Sequence, residues 1–190
     1  EMALRQMAGM GHRVEETPPP FSSDAIWLSW VTLRHYAVAA SLSPLYDERE
    51  TRDRLKDSAQ WEVENGKALS ALEIPEASVI RSDFFAAMAN MFDTYDVVCL
   101  PTAQVWPFDV DQTYPTQIRD TQMDTYHRWM EVMIPASLIG LPAVSIPVGF
   151  GGPHEMPMGL QLIGRRGSDH LLLQLAQQWH EATDWPNARP

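Results

Sequence analysis

The sequence predicts an α/β fold built as one domain over its 190 residues. Three observations lead there. A short, wholly apolar run at residues 97–100 and two mostly apolar runs at 143–148 and 158–163 have the length and composition of strands. Longer stretches around them carry apolar residues every three or four positions, the helical period. The two kinds alternate along the chain, and no composition shift marks a second domain boundary.

Each element has its own signal. Residues 2–8 read as the end of a helix stopped by Gly9 and Gly11, because glycine suits helix C-termini. Residues 12–16 alternate enough for a short strand, and Thr17-Pro-Pro-Pro20 is an extended break. Ser22, Ser23 and Asp24 offer N-caps to a helix over residues 25–42, where Ile26, Trp30, Leu33, Ala37 and Ala40 recur at helical spacing. Pro44 should end it. Residues 47–57 form a charged, solvated stretch, and residues 61–72 a further helix. Pro75 opens the next, with a stripe of Ile80, Phe84, Ala87, Met88 and Met91 that is expected to be core.

After the strand at 97–100, residues 103–121 hold prolines and aspartates without a period. They are read as a long loop, and loops of that length are often functional. Residues 123–139 are expected to be helical in part, perturbed by Pro135. The strands at 143–148 and 158–163 are placed to pair as a hairpin across a turn-rich link. Ser168-Asp169 caps the last helix, whose buried face is Leu171, Leu172, Leu175, Ala176 and Trp179. Residues 184–190 form a loose tail.

The balance of charge restricts partners. A formal net charge of −11 argues against nucleic acid, whose phosphates demand clustered Lys and Arg. No apolar segment is long enough to span a bilayer, so no membrane partner is expected. The single cysteine, Cys99, rules out an internal disulfide and a cysteine-based zinc site. It lies in an apolar run and is read as a small buried hydrophobe, consistent with a reducing cytoplasm. The chain opens Glu1-Met-Ala-Leu-Arg5, already inside a periodic pattern, which is read as a cut within a longer protein.

A search for chemistry finds no nucleophile elbow, no phosphate-cradling glycine loop and no closely spaced histidine pair. Lys56 and Lys67, the only lysines, sit among charges and are poorly suited to act as bases. Ser22-Ser23 is explained by helix capping, and His127 as a packed or surface residue. No catalytic residue, metal ligand or cofactor site is assigned.

Four blocks in the last half carry a resemblance. They are Val97-Val-Cys-Leu-Pro-Thr102, Ile139-Gly-Leu-Pro-Ala-Val-Ser-Ile-Pro-Val-Gly149, Met156-Pro-Met-Gly-Leu-Gln-Leu-Ile-Gly164 and Asp169-His-Leu-Leu-Leu173 with its helix. In order and spacing they resemble the amidase signature family, specifically after Asp93 and loosely before it. The resemblance implies the C-terminal part of the amidase signature fold, a mixed β-sheet covered by α-helices. It also implies hydrolysis of a carbon–nitrogen amide bond by a serine activated through a second serine and a neutral lysine, with backbone N–H groups holding the oxyanion. Nothing here matches that serine pair and lysine, which by family order should precede Glu1. The chain alone is therefore expected to be inactive.

What this part can supply is pocket wall for a small-molecule amide substrate. Gln104, Trp106, Tyr126, Trp129 and Met133 combine polar and aromatic surface, as small-molecule pockets do. Two other readings stand beside this one. One is the glutamine-amidase component of a tRNA-dependent amidotransferase, and the other is a non-catalytic binding relic. The identity of the amide is not legible, and a homo-oligomer is left open.

Overall fold

A computed structural model describes residues 1–152, 154–183 and 185–188, with Pro186 by its backbone alone. The turn residue at 153 and part of the tail expected at 184–190 lie outside the described residues. The chain divides into two compact units, residues 20–87 and residues 1–19 with those from 88 onward. Among the described residues no helix is long and apolar enough to cross a membrane.

Helix α1 (Met2–Gly9) runs one residue past its expected end. The turn falls instead at Gly11, whose φ of 98° is left-handed and costs glycine no Cβ clash. The strand expected over residues 12–16 does not form. A strand needs a ladder partner, and this segment is held by side chains instead: His12 Nε2 bonds Gln178 Oε1 at 3.1 Å, and the Tyr95 hydroxyl donates to Glu15 at 3.4 Å.

The helical unit begins with α2 (Ser23–Asp47), capped by Ser22 Oγ, which accepts from the N–H of Ala25 at 3.3 Å. Pro44 lies inside this helix rather than ending it. Ala40, whose carbonyl loses the missing N–H, is exposed. Beyond the proline, Thr51 Oγ1 donates to the carbonyl of Leu45 at 2.5 Å and Arg52 Nε to that of Tyr46 at 2.6 Å, so the final turn keeps its carbonyls satisfied. A short α3 (Arg49–Arg52) follows. Helix α4 (Asp57–Ala68) starts earlier than its apolar pattern indicates, with Asp57 in the first turn, where a carboxylate favours the helix dipole. Helix α5 (Glu73–Met91) holds Pro75 in its first turn and buries Ala77, Phe84 and Met88.

Helices α2 and α4 are clamped by a buried carboxylate. Glu62, 2% exposed, accepts from Arg34 Nε at 2.6 Å and pairs with His35 Nδ1 at 2.7 Å. The His35 ring meets Trp61 edge-on at 4.8 Å. Gly66 makes this close crossing feasible, since a Cβ there would lie 2.2 Å from the His35 carbonyl oxygen.

In the other unit, β1 (Val97–Pro101), β4 (Ala143–Gly151) and β5 (Met156–Gly164) form an antiparallel sheet in the order β1-β5-β4. The hairpin expected from the sequence is the β4–β5 pair, with a bulge between Pro147 and Gly149. Register sorts the side chains by face. Cys99, Leu162 and Val144 align, as do Leu160 and Ile146, and this face packs on α1 and α7 (Asp169–Thr183) through Ala3, Leu172 and Trp179. Trp179 Nε1 also donates to the carbonyl of Pro147 at 2.8 Å. Ser168, expected to cap α7 with its hydroxyl, donates instead to the Arg165 carbonyl at 2.7 Å. Leu100, Gln161 and Ser145 align on the opposite face.

The long segment after β1 is less bare than expected. Two-residue strands β2 (Gln117–Ile118) and β3 (Thr121–Gln122) pair across a tight turn at Arg119, whose φ is 50°. Residues 123–127 are irregular, Arg128–Met133 form a 3-10 segment, and α6 (Ile134–Ile139) follows. Pro135 starts α6 rather than perturbing a longer helix, because a first-turn proline loses no intrahelical bond. Gly140 closes it in the left-handed conformation at φ 65°.

Candidate active-site wall

The 3-10 segment is the centre of the candidate surface. Gln104 Oε1 accepts from the backbone N–H of Val132 at 2.7 Å. The Val132 carbonyl accepts from Gln161 Nε2 at 3.0 Å, and the same nitrogen donates to the Pro101 carbonyl at 2.9 Å. Gln161 is buried, and these bonds satisfy both N–H donors of its amide. Two glutamines thus pin one residue's backbone, from the loop on one side and from the sheet on the other.

This arrangement joins Gln104 to the segment bearing Trp129 and Met133. Trp129 meets Phe108 edge-on at 5.3 Å, an attractive geometry for two rings. Met133 is 49% exposed. The other two expected residues turn elsewhere. Trp106 lies on the glycine pair at the end of β4, where a Cβ at Gly152 would come within 2.9 Å of the indole. Tyr126 packs between Tyr114, at 6.1 Å, and the fully buried His127, at 3.8 Å. The five residues therefore lie along one stretch of loop and 3-10 segment. A hollow of about 490 Å³ elsewhere, on the outer side of α7, contains none of them.

One polar feature escaped the sequence reading. Thr102 Oγ1 and Ser145 Oγ lie 2.8 Å apart, across Gly159 of β5. Both residues were legible only as members of the motif blocks. The signal that would have found them is hairpin register, which places a glycine between two hydroxyl residues on one face. Cys99 is half-buried, and burial pushes its thiol pKa up to about 11, far from a reactive thiolate. Among the described residues no three His, Cys, Asp or Glu gather as a metal site would require.

Comparison with known proteins adds the context. The family described as Amidase matches residues 1–173. One component of the glutamyl-tRNA(Gln) amidotransferase of Bacillus thuringiensis (strain Al Hakam) is 34% identical over 108 residues, covering 57% of this chain and 20% of that protein. Among solved structures, a bacterial aryl acylamidase of the amidase signature family superposes with a TM-score of 0.79 at 23% identity, over 100% of this chain and 41% of that one. A 6-aminohexanoate cyclic dimer hydrolase gives 0.80 at 19% identity, over 100% and 41%. The corresponding amidotransferase component from Thermotoga maritima gives 0.62 at 25% identity, over 95% and 37%. The chain thus spans about a fifth of the length of the curated relatives it matches. The match over residues 1–173 and the shared fold establish that this chain belongs to the amidase family.

Proposed function

We propose that this chain is one part of a serine-dependent amidase, and that it supplies a wall of the substrate pocket. The observation that carries the reading is the family match over residues 1–173, joined to the polar and aromatic surface around the Val132 backbone. In this reading a serine elsewhere in the polypeptide attacks the amide carbonyl. Its proton passes through a second serine and lysine to the leaving nitrogen, and water then releases the carboxylate from the acyl-serine. The 190 residues alone hydrolyse nothing, act as part of one amidase domain, and work in the cytoplasm.

The test is release of ammonia from propionamide, benzamide and L-glutamine by the complete polypeptide that carries this chain. Turnover of a simple amide supports the reading, and no turnover of any amide removes it. A second reading is favoured by the 34% identity to a component of a glutamyl-tRNA(Gln) amidotransferase. It assigns the complete polypeptide to ammonia release from glutamine beside a partner protein. Selective turnover of L-glutamine over the other two amides would favour it.

A further inference from the structure

The backbone of residues 104–108 makes no hydrogen bond among the described residues. Side chains hold this stretch instead, at three points. Gln104 accepts from the Val132 N–H at 2.7 Å, and the Phe108 ring meets Trp129 at 5.3 Å. Both of these contacts reach the 3-10 segment. Trp106, between them in sequence, reaches the β4–β5 hairpin.

The third contact has a specific geometry. A Cβ at Gly152 would lie 2.9, 3.0 and 3.2 Å from Cδ2, Cγ and Cδ1 of Trp106. Those three atoms belong to the five-membered ring, and their near-equal distances put Gly152 over its face. A Cβ at Gly151 would lie 3.0 Å from Cη2 and 3.2 Å from Cζ2 of the six-membered ring. One indole thus lies across two consecutive glycines. Trp106 makes no hydrogen bond and meets no other aromatic ring among the described residues, which leaves shape, and with it the bare glycines, to place its ring. A stretch without backbone hydrogen bonds has low local stability, so each side-chain anchor weighs on its position.

We propose that residues 104–108 form a strap tied to the candidate wall, and that the Gly151–Gly152 seat, acting through Trp106, sets where that wall stands. Trp106, Gly151 and Gly152 are then positioning residues. They place Gln104 and Trp129, and the hairpin tip thereby tunes substrate affinity from outside the contact surface. The inference rests on the amidase reading and adds how its wall is held.

The test is made on the complete polypeptide with Gly151→Val, Trp106→Ala, Trp106→Phe and the double variant G151V/W106F. Gly151 is the position to fill, because Gly152 at φ 71° strains any side chain whatever the space. Hydrogen exchange should show the peptide that carries Val132 losing protection in G151V and in W106A. The loss should reach at most about 12-fold, the upper worth of one net hydrogen bond, although neither residue bonds to Val132. With benzamide, both variants should raise KM several-fold at nearly parental kcat, because the binding surface moves and the serine chemistry elsewhere does not. The rise should stay below the roughly 100-fold cost of a displacement of about 1 Å. Phenylalanine at 106 lacks the ring over Gly151, so G151V/W106F should return to the KM of W106F. Thermal melts show which variants fold, and W106A, which adds no atoms, serves if G151V does not. Parental exchange and KM in folded W106A overturn the proposal. A raised KM in G151V that W106F leaves unrelieved shows that the glycine does not act through Trp106 and overturns the seat. A fall in kcat at constant KM overturns the role in binding. No turnover by the parent removes the amidase reading and the affinity role with it, while exchange at Val132 still decides whether the strap holds the wall.

Discussion

The backbone N–H of Val132 donates to Oε1 of Gln104 at 2.7 Å, and this single bond ties the loop after β1 to the 3-10 segment of Trp129 and Met133. Without it, the Val132 carbonyl still accepts from Gln161 on its other side. Gln104→Ala is expected to cut the protection of the Val132 amide against hydrogen exchange about 2- to 12-fold, the worth of one net hydrogen bond. Exchange at the parent rate would show that the glutamine does not order the segment.

Glu62 sets the stability of the α2–α4 pair. It lies 2% exposed between part-exposed Arg34 and buried His35, so removing it takes the acceptor from the His35 ring. Glu62→Ala should destabilise the helical unit by about 1–3 kcal/mol, the cost of leaving the buried His35 ring without its acceptor. Glu62→Gln should cost less, because a carbonyl oxygen still accepts one bond. Urea denaturation compares the two. A loss below about 1 kcal/mol for the alanine variant would mean the clamp is not carried by this carboxylate.

Cys99 makes stability depend on alkaline pH. Burial raises its folded pKa to about 11, above the unfolded value of about 8.5. Below about pH 8.5 the thiol is protonated in both states, so this group imposes no penalty. Between there and pH 11 the unfolded chain loses the proton first, and stability falls as pH rises. Cys99→Ala should flatten that part of the curve, whatever its effect at neutral pH. A parent and variant that decline in parallel from about pH 8 to about pH 10 would assign the slope to other groups.

Much of the fold was legible because one period dominates each element. The β4–β5 hairpin and the stripe of α7 from Leu172 to Trp179 bury one face each, and such a pattern survives any context. The misreadings fall where a contact distant in sequence decides. Pro44 reads as a stop, yet Thr51 and Arg52 reach back to finish the helix beyond it. Residues 12–16 alternate like a strand, but only a neighbouring strand could have made them one. The candidate surface follows the same rule. Gln104 and Trp129 carried their chemistry in their side chains, whereas the Thr102–Ser145 pair exists only through the register over Gly159.

The most direct test of the pocket-wall reading is steady-state kinetics of benzamide hydrolysis by the complete polypeptide, with and without Trp129→Ala. A residue that holds substrate beside chemistry performed elsewhere should, when truncated, lower kcat/KM about 10-fold or more while leaving measurable turnover. That result, in a variant with parental thermal stability, is what the account predicts. Kinetic constants identical to the parent's would contradict it and move the substrate away from the 3-10 segment.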